Sequence, residues 1–240
     1  MENKTILVTG ATSGIGRSIA ELFSEKGFHL VLLGRNREKL DAFTALMPQK
    51  GIYSYCIDLY ELEKISPVFD NLYDKGIKLD GLVHCAGIEG SLSPIRSVKY
   101  SSLDRLMRLH YEAFIELSRL FYKKTVSNEG SSIVAVSSLA AVMCQKNTVD
   151  YSAAKAAVNA AIRVMSKEFL KRNIRVNGIM PANVDTPMCD NLKNLIDIET
   201  IQPMGMIEPE QIAYLTEFLM SEKAKYITGA LIPVSAGMEY

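Results

Sequence analysis

Four consecutive apolar residues, Leu30 to Leu33, close the run Phe28 to Leu33 with no polar position alternating among them. A strand with one wet face alternates apolar and polar residues, so a strand that does not alternate must be covered on both faces. Within one chain that cover comes from helices crossing between parallel strands. Comparable runs rich in β-branched residues recur at Thr5 to Thr9, Ile52 to Ile57, Leu79 to Cys85, Ser132 to Val136, Ile174 to Met180 and Ala230 to Val234. Helical patterns fill the intervals. Ile15, Ile19, Leu22 and Phe23 make one apolar stripe after the first run, and Gly27 is placed to stop that helix. The expectation is an α/β fold, doubly wound, with a seven-stranded parallel sheet and helices on both faces.

No linker, repeat or low-complexity tract breaks the alternation, so residues 1–240 are expected to form a single domain. The one long connection, Pro187 to Pro209, follows the sixth strand at the end where α/β sheets hold ligands. Residues 187–207 are read as a substrate loop, with a plain surface excursion as the alternative. Lys plus Arg and Asp plus Glu number 27 each, which gives no charge excess for nucleic acid or an anionic membrane. The apolar Ile6-Leu7-Val8 is too short for a signal peptide, and no apolar run approaches the roughly 18 to 20 residues that span a bilayer. A cytoplasmic protein is expected. Cys56, Cys85, Cys144 and Cys189 lie far apart, without the paired spacing of a zinc or redox site, so no metal is expected and the thiols are read as reduced.

Directly after the first strand comes Thr9-Gly10-Ala11-Thr12-Ser13-Gly14-Ile15-Gly16, opening the next helix. Glycines allow a tight turn and bring backbone N–H groups and the positive helix end close to a pyrophosphate. A strand-to-helix turn without a ligand is the competing reading, and glycines at 10, 14 and 16 do not match the GxGxxG of most dinucleotide folds. At the end of the second strand stand Gly34-Arg35-Asn36-Arg37, with no carboxylate to accept from the adenosine ribose of NAD. A guanidinium at Arg35 suits a 2′-phosphate, so NADP(H) is preferred, with NAD(H) left open if these arginines are only solvated charges.

Tyr151 and Lys155 are four apart in a strongly helical stretch, which puts phenol and ammonium on one face. A phenol has a pKa of about 10, and a nearby positive charge draws it toward neutrality, which makes the pair a candidate general acid/base. Taken with Thr9 to Gly16 and with Ser138, thirteen residues before the tyrosine, the chain resembles the short-chain dehydrogenase/reductase family nearly end to end. The resemblance implies a Rossmann fold, a small carbonyl or alcohol substrate, and a homo-oligomer, tetramer or dimer. It implies that Ser138 hydrogen-bonds the substrate oxygen, that Tyr151 exchanges its proton, and that Lys155 tunes the tyrosine and holds the nicotinamide ribose. It also implies cofactor contacts at Gly10, Thr12, Ser13, Gly14, Ile15, Gly16, Arg35, Asn36, Asp58, Leu59, Ala86, Gly87, Tyr151, Lys155, Pro181, Val184 and Thr186. Ser137 reads as structural.

The chain departs from the family pattern in three places. His84-Cys85-Ala86-Gly87 stands where the family often has Asn-Asn-Ala-Gly, which predicts a less firmly tied loop because a thiol is a weak hydrogen-bonding group. His110, in a helix expected over about Lys99 to Val126, falls where an asparagine commonly holds a water beside the lysine; it reads either as part of the relay or as an interior residue. Ala182 replaces a usual glycine, and Ser235-Ala236-Gly237 replaces a more glycine-rich tail. Ile201 to Gly205 and Pro209 to Ala213 faintly resemble 3-oxoacyl-carrier-protein reductases, and Met188, Met204, Met206 and Ile207 favour a partly apolar substrate, with ordinary packing as the alternative reading of the methionines. The alternatives are an NAD(P)-dependent sugar or alcohol dehydrogenase and an NADP(H)-sensing regulator with little turnover.

Overall fold

The computed structural model describes residues 4–47, 51–190 and 197–240. Seven strands form one sheet: β1 (Thr5–Thr9), β2 (His29–Gly34), β3 (Ile52–Cys56), β4 (Leu79–His84), β5 (Ser127–Val136), β6 (Arg175–Pro181) and β7 (Leu231–Val234). Their order is β3-β2-β1-β4-β5-β6-β7, and every neighbouring pair is parallel. The expected seven-stranded Rossmann-type sheet is present, with strand ends within one or two residues except at β5. That strand begins at Ser127, five residues before the expected Ser132, because its pairing with β4 shifts register between Leu79 and Gly81 and recruits the preceding segment.

Helices α1 (Gly14–Glu25), α2 (Arg37–Ala45) and α3 (Ile65–Asp74) connect the first four strands. Apolar residues cover both faces of the sheet. Ile19, Phe23, Phe28 and Phe43 pack with Ile212 and Leu219 on one side; Phe69, Phe114, Leu117 and Phe121 pack with Val158 and Ile162 on the other. This two-sided burial is why Leu30 to Leu33 are all buried.

The helix expected over about Lys99 to Val126 is divided. It runs as α4 (Tyr100–Leu106), one wider π-helical turn over Met107–Glu112, and α5 (Ala113–Phe121). Such a turn inserts a residue and rotates the next helical turns about the axis, and it frequently sits at functional sites. Here it carries His110 inward. A short α6 (Ala140–Met143) precedes the long α7 (Val149–Glu168), and α8 (Pro209–Met220) packs beside α1.

Of the expected substrate loop at 187–207, residues 191–196 lie outside the described set. Around them are one 3₁₀ turn, Pro187–Cys189, and one helical turn, Ile198–Ile201. The base of the loop is closed by a bridge between Val184 and Ile207 and by Gln202. Gln202 is fully buried; its Oε1 accepts from Asn183 N at 2.9 Å and its Nε2 donates to Asn183 O at 3.0 Å and Gly205 O at 2.6 Å. Among the described residues no helix is long and apolar enough to cross a membrane.

Candidate active site

The strand order reverses between β1 and β4, and the crevice at their carboxyl ends is where open α/β sheets hold ligands. Thr9 ends β1 beside His84 of β4. The Thr9 hydroxyl oxygen accepts from the amides of Cys85 (3.1 Å) and Ala86 (3.0 Å) and lies 3.1 Å from His84 Nδ1. With its lone pairs engaged by two amides, the hydroxyl gives its proton to Nδ1, which leaves the His84 ring proton on Nε2. The prediction of a loosely tied loop after β4 is therefore overturned. Thr9 performs the tethering that side-chain amides at 84 and 85 would have supplied.

The glycine turn is shaped for close backbone approach. Gly10 has φ +67° and a Cβ there would stand 3.0 Å from the Ala86 backbone; at Gly16 it would stand 2.4 Å from the Gly10 carbonyl oxygen. Ser13 is the N-cap of α1, yet its side chain makes no capping bond, so the first amides of the helix stay available to an anion. A pyrophosphate fits this cradle. Thr12, Ser13 and Gly14 line a hollow of about 450 Å³ that also includes Arg17 and Lys39, two cations the sequence reading did not single out.

The other expected cofactor residues divide. Ile15, Gly87, Pro181, Val184 and Thr186 line one cavity of about 260 Å³ together with Ser138, Tyr151 and Lys155. Ala86 lies against Gly10. Arg35 is exposed after β2, and no ion pair with another described residue engages it. Asn36 is committed elsewhere: its Oδ1 caps α2 by accepting from Lys39 N at 2.8 Å. Asp58 Oδ1 accepts from Tyr60 N at 3.0 Å in a local turn. The Leu59 side chain is packed in the core, so only its backbone can reach a ligand.

Tyr151 and Lys155 sit in the first two turns of α7, and Ser138 follows β5. Lys155 is buried, its Nζ donating to Val136 O at 2.9 Å, 5.7 Å from the centre of the Tyr151 ring. Burial pulls its pKa from 10.5 down to about 8. The Tyr151 phenol is pushed up to about 12 by burial, against a lowering hydrogen bond with Ser138; Cys189 and Glu89 raise it further. The expected depression of the phenol by the ammonium is thus not found: desolvation is the largest influence on the phenol, and the ammonium is turned to the Val136 carbonyl. Ser138 Oγ also accepts from Ala140 N at 3.1 Å. Ser137 is buried and donates to the Lys155 carbonyl at 3.4 Å, a helix-anchoring contact.

His110 is buried edge-on to the Tyr151 ring, with centroids 5.6 Å apart and planes at 89°. Its Nε2 lies 3.0 Å from Ile88 O and 3.3 Å from Ile88 N. Burial first, then the Lys155 charge, hold its pKa well below 6.5, so the ring is neutral. Burial likewise pushes the Cys85 thiol up to about 12, so it stays protonated.

The site can bind a pyrophosphate at one end and place two hydroxyl donors and a cation around a small polar group at the other. A family model described as "Enoyl-(Acyl carrier protein) reductase" matches residues 10–239. The chain is 32% identical to the 3-oxoacyl-(acyl-carrier-protein) reductase FabG of Rickettsia conorii over 99% of this chain and 98% of that one. The chain belongs to the short-chain dehydrogenase/reductase family. A structure named as the short-chain dehydrogenase/reductase glucose/ribitol dehydrogenase from Brucella melitensis superposes with TM-score 0.94 at 32% identity, covering 100% and 98% of the two chains. A 4-hydroxyisoleucine dehydrogenase complexed with NADH superposes with TM-score 0.88 at 28% identity, covering 98% of each. This short-chain dehydrogenase/reductase is an oxidoreductase acting between CH–OH and C=O groups with a nicotinamide cofactor.

Besides Arg17 and Lys39, the structure adds Asp150 and Gln202, which sequence reasoning passed over, and the pairing of His84 with Thr9. Asp150 was visible only as the residue before Tyr151. No local pattern marks the others, since their partners are distant in sequence or made by an irregular loop.

Proposed function

We propose that this protein is an NADP(H)-dependent carbonyl reductase in which Tyr151 is the general acid/base. The observation that carries the proposal is the convergence of Ser138, Tyr151 and Lys155 on one cavity beside the phosphate turn. The glycine turn would hold the pyrophosphate of a nicotinamide cofactor, whose chemistry would be hydride exchange at the carbonyl carbon. The chain's own residues do the rest. Ser138 and Tyr151 hydroxyls donate to the carbonyl oxygen, where negative charge develops as the carbon is reduced, and aimed donors lower that barrier. Tyr151 then gives the oxygen its proton. With a pKa of about 12 the phenol is protonated at neutral pH, so the resting site is a proton donor, which suits reduction. Lys155 uses one N–H on Val136 and keeps two for ribose hydroxyls, while its charge sits beside the phenol.

The exposed Arg35 after β2, and Lys39 in the wall of the hollow at the glycine turn, favour the 2′-phosphate of NADP(H). Leu92 and Met188 in the cavity wall, and the name of the Rickettsia relative, favour a 3-oxoacyl substrate. The second reading, an NAD-dependent sugar or alcohol dehydrogenase, is favoured by Gln145, Thr148 and Asn183 in the same wall and by the names of the two solved neighbours. His110, neutral and engaged with Ile88, is assigned a structural role rather than a place in proton transfer. The chain is further proposed to act as one domain and as a homo-oligomer, on the strength of an apolar furrow between α5 and α7 where Val164 is 54% exposed.

The test is oxidation of NADPH and NADH across acyl, steroid, sugar and quinone carbonyls, with Tyr151→Phe alongside. Turnover that prefers NADPH and is lost by about 100-fold or more in the variant supports the proposal. Near-wild-type turnover in Tyr151→Phe overturns it.

A further inference from the structure

The helix that carries Tyr151 also carries a charge that the proton transfer from Tyr151 does not use. Asp150 is the second residue of α7, immediately before Tyr151, and is 2% exposed. A carboxylate removed from water must be satisfied by donors or it destabilises the fold. Here four donors converge on it. Oδ2 accepts from Ser91 Oγ at 2.7 Å, Ser91 N at 3.2 Å and Ser102 Oγ at 2.7 Å; Oδ1 accepts from Tyr151 N at 2.8 Å. Burial would raise the pKa of this acid, but the Ser102 and Ser91 donors with the Tyr151 amide bring it below the ordinary carboxylate value, so it is ionised at neutral pH.

The donors come from three different elements: the loop after β4, α4, and the first turn of α7 itself. That loop is a wall of the active-site cavity, which Gly87, Glu89, Gly90, Ser91 and Leu92 line together with Tyr151 and Ser138. It is pinned at Ile88 by His110 and at Ser93, whose amide donates to Asn147 O at 2.9 Å. Between those pins it presses directly onto the catalytic residue. A Cβ on Gly90 would stand 2.5 Å from Tyr151 Cβ and 3.1 Å from Asp150 Oδ1. The loop therefore meets Tyr151 at its Cβ, next to the point where Asp150 holds it.

We propose that Asp150 is the positioning residue of this site: its carboxylate binds the 88–92 loop and α4 to the turn that carries Tyr151, and so fixes the wall against which the carbonyl substrate is presented to the phenol. This rests on the reading of Tyr151 as the proton donor. Displacements near 1 Å at a reacting centre lower rates by as much as about 100-fold, so a clamp one residue from the phenol bears on turnover directly. The pyrophosphate of a nicotinamide cofactor would lie on the turn after β1, which makes none of the four bonds to Asp150.

Asp150→Asn tests the proposal. An amide retains the Oδ1 acceptor for Tyr151 N but sets an NH₂ against the Ser91 amide, and the Ser91 and Ser102 hydroxyls must turn to accept from it, so the hold on the loop is weakened while the helix turn keeps its bond. Wild type and variant are compared for steady-state kinetics on a carbonyl substrate and for amide hydrogen exchange in the 88–93 segment. The expected result is a loss of about 10- to 100-fold in kcat/KM for the carbonyl, shared between kcat and KM, with the cofactor KM within about twofold and faster exchange in that segment. A merely structural role lowers kcat through a smaller folded fraction and leaves both KM values in place. That outcome, or exchange in 88–93 unchanged from wild type, overturns the proposal. If Asp150→Asn fails to fold, Ser91→Ala with Ser102→Ala keeps the carboxylate and the α7 turn and is read by the same criteria. The two claims separate cleanly: turnover that survives Tyr151→Phe defeats the functional reading, whereas turnover lost in Tyr151→Phe but intact in Asp150→Asn defeats only the role given to Asp150.

Discussion

Lys155 is a buried base whose pKa is drawn from 10.5 to about 8 by desolvation, with its one protein bond made to a neutral carbonyl. Between those two values the unfolded chain holds a proton that the folded protein has released. Stability therefore rises with pH across this window, and below about pH 8 the folded state carries the full penalty of the buried charge. At about 1.36 kcal/mol per pH unit, the penalty is about 3 kcal/mol, of which about 2 kcal/mol is recovered between pH 7.5 and 9.5. Lys155→Met keeps an unbranched side chain of similar length and removes the charge. Urea unfolding of the ligand-free protein and the variant, followed at several pH values in that interval, isolates the effect as the difference between two curves. The wild type should gain about 2 kcal/mol on the variant from pH 7.5 to 9.5. Measurements stop short of pH 10, because Tyr151, raised to about 12, retains a proton that the unfolded chain loses above 10, and stability then falls with further alkalinity. Parallel curves from pH 7.5 to 9.5 would refute the assignment of Lys155 as a strained, desolvated cation.

Arg35→Ala is expected to raise the KM for NADPH about tenfold and to leave that for NADH within about twofold, read from initial rates with each cofactor; equal changes would remove Arg35 from 2′-phosphate recognition. Gly16→Ala places a methyl 2.4 Å from the Gly10 carbonyl oxygen, backbone against backbone, and should lower stability by roughly 1–3 kcal/mol and abolish NADPH binding in a fluorescence titration. His110→Asn should leave the pH dependence of kcat/KM between pH 5 and 8 superimposable on wild type, since the imidazole is already neutral there. The same histidine should appear in acid unfolding. His110 and His84, the latter held at about 3, refuse protons that the unfolded chain accepts, so wild-type stability falls as pH drops below about 6.5, and His110→Asn should lose less of it.

Much of the fold was legible because its signal is local. Non-alternating runs such as Leu30 to Leu33 report two-sided burial, and six of the seven strands lie within one or two residues of where these runs place them. The i, i+4 spacing of Tyr151 and Lys155 likewise survives in α7, since helical geometry is fixed by the backbone. Other expectations held only in part, for non-local reasons. The helix expected over about Lys99 to Val126 runs from Tyr100 to Phe121 but widens into the π turn that seats His110, and the extended start of β5 depends on pairing with β4, neither of which a periodicity test detects. Leu59 and Asn36 show the same limit at the cofactor side: the first is drawn into the core, the second into the cap of α2.

The sequence by itself determined the sheet, and it singled out the glycine turn after β1 and the candidate residues Ser138, Tyr151 and Lys155, because those signals lie in local patterns and spacing. Tertiary structure alone decided their electrostatics and their setting. Burial, not the neighbouring ammonium, governs the phenol, and it draws Lys155 itself down to about 8. The tether from Thr9 to Cys85 and Ala86 spans 76 and 77 positions, and the clamp from Asp150 to Ser91 and Ser102 spans 59 and 48. Which buried donor meets which buried acceptor depends on how the loops fold over the sheet's carboxyl edge, and desolvation makes each of those meetings obligatory only once the fold has closed.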